Sequence, residues 1–92
     1  MFEDFIELTI LVGNEKGYSS YTSYKSSIKY KTIGELSEVI DEDREVMRGV
    51  CYIYKLGETK PILIEMDYNK LKRLIDSYYI TYSLTGGRIR NN

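Results

Sequence analysis

Residues 2–12 gather most of their apolar side chains on one face of an extended chain. Phe2, Ile6, Leu8, Ile10 and Val12 share one face, while Glu3, Glu7 and Thr9 lie on the other. A period of two describes a half-buried β-strand, which Gly13 closes. Every backbone polar group of such a strand needs a partner, so the rest of the chain must supply a sheet. The turn-forming stretch GNEKG at 13–17 returns the chain as an antiparallel neighbour.

That neighbour is GYSSYTSYKSSIKYKT, residues 17–32, with tyrosines at 18, 21, 24 and 30. As a strand it has two faces. Tyr18, Tyr24, Ile28 and Tyr30 share the even face, and Tyr21 lies opposite with Lys25, Lys29 and Lys31. A helix would instead gather Tyr18, Tyr21, Tyr24 and Ile28 into an arc of about 120°. The serines and threonine argue for the strand, though the sequence leaves both forms open.

A helix is expected next. Thr32 and Glu35 have the form of a capping box, ahead of Ile33, Leu36, Val39 and Ile40 at helical spacing. Gly34 inside it weakens the pattern by about 1 kcal/mol. The acidic run at 41–45 ends it. Residues 46–57, VMRGVCYIYKLG, read as a central strand, apolar on both faces around Val50–Ile53. GETK at 57–60 turns the chain and PILIEM at 61–66 returns it, with Pro61 at the strand start. Asp67 then caps a second helix over about 67–83, with Leu71, Leu74, Ile75, Tyr78 and Tyr82 on one stripe. Gly86 and Gly87 close it as a C-cap.

TIGELSEVID (32–41) and DYNKLKRLID (67–76) align without gaps, and the turns GNEK and GETK correspond. The expected fold is therefore a two-layer α+β domain. It is built from two similar ββα units in ββαββα order, with both helices on one face of an antiparallel sheet. Ninety-two residues suffice for one domain, placed at 1–87, with a basic tail at 88–92 expected to be disordered.

Composition narrows the function. The chain has no His and one Cys, which removes the usual acid–base and nucleophilic arrangements and any zinc site. Asp41, Glu42 and Asp43 lack calcium-loop spacing and read as a solvated loop. TGGRIR at 85–90 follows a helix rather than leading into one, so it makes no phosphate loop. No catalytic residue, cofactor or metal is expected, and no enzymatic activity. No basic-then-apolar leader opens the chain, its longest uncharged apolar run (LTILV) is short, and Cys51 has no disulfide partner. These features point to a cytoplasmic protein with no membrane segment.

Residues 1–43 hold four Lys/Arg against nine Asp/Glu, and residues 44–92 hold nine against five. The split favours either internal attraction or poles that meet a partner. Eleven Ile and ten Tyr, with no Ala or Gln, suit an A/T-rich gene, as small phage and mobile-element genes often are.

The expected function is non-enzymatic protein binding, as an inhibitor or modulator of a host protein or through a homodimer. Tyr18 and Tyr21 offer rigid amphipathic contact area beside adaptable serines. The sheet face turned from the helices carries Phe5 and Leu11, joined by Cys51, Ile53 and Leu63 if the other strands keep the pattern. Asp41, Glu42 and Asp43 add an acidic contact. The alternative is a single-stranded nucleic-acid platform built from Tyr21, Lys25, Lys29 and Lys31, with Arg88 and Arg90 beyond the last helix.

Overall fold

A computed structural model describes residues 4–13 and 21–86. Its centre is one antiparallel sheet of five strands: β1 (Phe5–Gly13), β2 (Tyr21–Lys29), β3 (Ile33–Ile40), β4 (Val46–Lys55) and β5 (Ile62–Ile64). Their order across the sheet is β2-β1-β5-β4-β3. The two hairpins β1β2 and β3β4 therefore flank the three-residue β5, which pairs Ile64 with both Ile10 and Cys51. One helix, α1 (Tyr68–Thr81), follows β5 and ends in a π turn over Tyr82–Gly86.

The expected ββαββα order with two helices on one face is wrong, because residues 33–40 form a strand. The β3–β4 register has two irregularities, at Ile33/Glu35 and at Glu38/Ile40. The first gives β3 an extra residue, so Ile33 and Leu36 both reach the core at a spacing of three, while Val39 is buried outside that core cluster. Gly34 sits in the first, where a Cβ would stand 2.9 Å from Leu56 Cδ2 and 3.3 Å from Leu56 Cα. At the second, β4 takes five steps from Cys51 to Val46 while β3 takes two from Glu38 to Ile40, and Gly49 there has φ +82°. Thr32 makes no capping box; its Oγ1 donates to the Lys29 carbonyl at 2.7 Å.

β2 and β3 are opposite edges of the sheet, yet only Tyr30–Thr32 lies between them. Four extended steps reach about 14 Å, whereas four flat strand gaps need about 19 Å. The sheet must therefore curl. Tyr30 N–H donates to the Asp4 carbonyl beside β1, and Leu56 N–H donates to the Thr32 carbonyl beside β4, so the corner is pinned at both ends. The Gly13/Tyr21 end of β1 and β2 and the 41–45 turn of β3 and β4 then lie at opposite ends of the sheet. The molecule is accordingly long, 54 × 24 × 23 Å with a radius of gyration of 15.2 Å. A compact chain of this length would have about 12 Å.

Inside the curl, Ile6, Leu8, Ile10, Ile28, Cys51, Ile53 and Ile64 pack on Leu71 of α1. Asp67 starts the helix by accepting from Asn69 N–H at 3.2 Å. Of the expected stripe, Leu71 and Tyr78 are buried and Ile75 and Tyr82 are half-buried, while Leu74 faces solvent. Burial pushes the Cys51 thiol up to about 11, with the nearby Asp67 charge adding to it. Among the described residues no helix is long and apolar enough to cross a membrane.

Candidate functional site

The even residues of β1 and the facing positions of its neighbours look into the curl, so the odd residues form an outer face. Register fixes its membership. Ser23 on β2, Leu11 on β1, Leu63 on β5, Tyr52 on β4 and Ser37 on β3 lie in one row across all five strands. Leu11, Leu63 and Tyr52 are its apolar centre, each half-buried, and no other described element covers them.

Cys51 and Ile53 do not join Leu11 and Leu63 on this face. They are fully buried beneath α1. Tyr52 and Tyr54 take the outward positions instead, opposite Ser37 and Glu35. The run VCYIY is apolar at every position, so its phase is invisible without the pairing; cross-strand register with β5 is what settles it.

Tyr21 opens β2 opposite Gly13, where an added Cβ would meet its ring at 3.8 Å. Its ring thus lies against the bare backbone of β1 while 55 % of the residue stays exposed. With residues of both faces, Leu11, Tyr52 and Leu63 on the outer one and Ile10, Tyr24 and Ile62 on the inner one, it lines a shallow groove of about 520 Å³ at the end of β5. Phe5, also odd, is 53 % exposed and six residues along β1 from Leu11, with Lys29 Nζ 5.7 Å over its ring. Tyr18, Arg88 and Arg90 lie outside the described residues.

The acidic segment has a structural task. Asp41 accepts from Asp43 N–H at 2.8 Å and from Glu45 N–H at 2.9 Å, and Arg44, at φ 64°, completes the β3–β4 turn. Glu42 and Asp43 are exposed at that tip, on the hairpin pointing away from Tyr21. The three acidic residues and the tyrosine groove are therefore separate surfaces.

The lysine strip is also divided. Lys25 and Lys29 share the outer face of β2 with Tyr21, and Lys25 Nζ is 3.9 Å from Glu7. Lys31 leaves the strand: its Nζ sits 4.1 Å over the Tyr82 ring and donates to that hydroxyl at 3.1 Å. A smaller cavity of about 190 Å³ lies between β3 and α1, lined by Ile33, Leu36, Tyr68 and Ile75, with the Lys72–Asp76 ion pair at 3.2 Å beside it. Among the described residues no three Cys, Asp or Glu side chains gather as a metal site. No protein-family model, no curated protein and no solved structure matches this chain.

Proposed function

We propose that this chain is a non-enzymatic protein-binding module that acts by covering part of a partner, with the outer sheet face around Leu11, Leu63 and Tyr52 as its contact. The observation that supports the reading is the row itself: three large apolar residues in direct cross-strand register, rimmed by Ser23 and Ser37, on a face that no described element covers. Apolar centres with polar rims are the anatomy of protein interfaces. Tyr21 extends the patch towards the β1β2 tip and supplies a rigid aromatic anchor.

The test is a matched affinity capture from a lysate of the source cells, using the wild type and a Leu63→Lys variant of equal thermal stability. A partner retained by the wild type and lost with Leu63→Lys supports the reading; identical captures from both overturn it.

A second reading, single-stranded nucleic-acid binding, is favoured only by Tyr21, Lys25 and Lys29 sharing one strand face. Stacking beside phosphate neutralisation is the chemistry such a face offers. Titration of a labelled oligonucleotide at low ionic strength tests it; absence of salt-dependent binding removes it.

A further inference from the structure

The two edges of the sheet are built differently. β3 carries an extra residue at Gly34, and its ladder with β4 is broken again at Glu38/Ile40, where β4 bulges; an interrupted edge is a poor template. β2 runs nine residues beside β1 in unbroken register, without proline or bulge. Its free side can be assigned residue by residue. Glu65 N–H donates to the Thr9 carbonyl, so the odd residues of β1 direct their backbone groups towards β5 and the even ones towards β2. Tyr30 N–H donating to the Asp4 carbonyl gives the same phase. The even residues of β2 therefore bond to β1, and Tyr21, Ser23, Lys25 and Ser27 turn their N–H and C=O outward. Among the described residues nothing pairs with them. The Lys29 carbonyl is already taken by Thr32 Oγ1, so the open ladder is 21–27.

We propose that β2 is a dimerisation edge: β2 strands of two copies pair antiparallel about a two-fold axis at Tyr24, joining both sheets into one. The axis stands perpendicular to the sheet, so the outer faces of both copies point the same way.

The side chains select this register. Centring on Lys25 would set two lysines directly opposite, and centring on Ser23 would shorten the ladder to 21–25. Centring on Tyr24 places Ser23 opposite Lys25 of the partner subunit and Tyr21 opposite Ser27 of the partner subunit, both as hydrogen-bonded pairs. Tyr24 then faces its own counterpart at a non-hydrogen-bonded position, where side chains approach most closely. Tyr24 is half exposed on the even face beside Ile10, an aromatic at the end of the core that lacks a neighbour on its outer side. Aromatic cross-strand pairs are among the favourable ones. Lys25 Nζ lies 3.9 Å from Glu7 within each copy, which offsets part of its charge as the strands approach.

The edge shares Tyr21 and Ser23 with the patch around Leu11, Leu63 and Tyr52, so the two are separated by variants outside the overlap: Leu63→Lys reports on the patch and Tyr24→Cys on the edge. Two experiments test it on the full chain. Sedimentation of the wild type between about 1 µM and 1 mM, the range expected of a small interface, should show a reversible dimer. Lys25→Pro removes an outward N–H that the fold does not use, and edge strands accept proline there. It should weaken the dimer about tenfold or more. A Tyr24→Cys variant under mild oxidation should form an interchain disulfide, while Ser23→Cys and Lys25→Cys, each facing a different residue, should not. A monomer throughout, or a cross-link pattern that peaks away from residue 24, overturns the proposal. The cross-linking arm stands even if Lys25→Pro unfolds.

Discussion

The Tyr78 ring lies flat on the Tyr30 ring, 4.1 Å between centroids and 11° from parallel, and its hydroxyl donates to the Asp4 carboxylate at 3.1 Å. One side chain of α1 thus ties the corner where β2 leaves the sheet to the start of β1. Tyr78→Phe should keep the stack and lose the bond, costing about 1–2 kcal/mol. Tyr78→Ala should cost about 3–5 kcal/mol by emptying the contact as well. Urea unfolding measures both, and equal losses would deny the hydroxyl a role.

Gly34 offers a test of sign. In a helix interior, Gly→Ala stabilises by about 1 kcal/mol. At the β3 irregularity a Cβ would press on the Leu56 backbone. Gly34→Ala should therefore destabilise, by about 1–3 kcal/mol, as read from thermal or urea denaturation.

Asp41 should stand apart from its acidic neighbours. Its carboxylate accepts two backbone N–H groups, so Asp41→Ala should cost about 1 kcal/mol, as other lost caps do. Glu42→Ala and Asp43→Ala should stay within about 0.5 kcal/mol.

Cys51 governs a pH dependence. Its pKa rises from 9.0 to about 11 on folding. Below pH 9 the thiol is protonated in both states and the stability is whole. Between 9 and 11 the unfolded thiol ionises first, so stability falls as pH rises. The measurement is the difference between wild type and Cys51→Ala. The wild type should lose more stability from pH 8 to pH 10.5. At neutral pH the folded thiol should resist alkylation.

The sequence was legible where one local rule acted alone. β1 follows from alternation at Ile6, Leu8 and Ile10, and α1 from Asp67 with Leu71 and Tyr78 four and eleven residues on. At Ile33 and Leu36 two rules collided: a strand with one extra residue at Gly34 imitates the spacing of a helix, and Thr32 with Glu35 imitates its cap. Gly34 was the contrary signal, costly in a helix and fitting at a bulge. For the candidate site, alternation put Leu11 outward. Tyr52 was missed because its neighbours Cys51 and Ile53 are equally apolar, and only pairing with Leu63 reveals its side. Strand order was not readable at all, since β5 joins β1 to β4 across more than fifty residues of chain.

That late arrival of β5 has a consequence for synthesis. Until residues 62–64 leave the ribosome, β1 and β4 each hold an inner row of backbone groups with nothing between them. Two hairpins can form early from local contacts, yet they remain separate bodies until three residues near the end of the sheet's sequence lock them together. A nascent chain stopped before Pro61 would carry both inner edges bare, at the moment when neighbouring chains on the same message are closest.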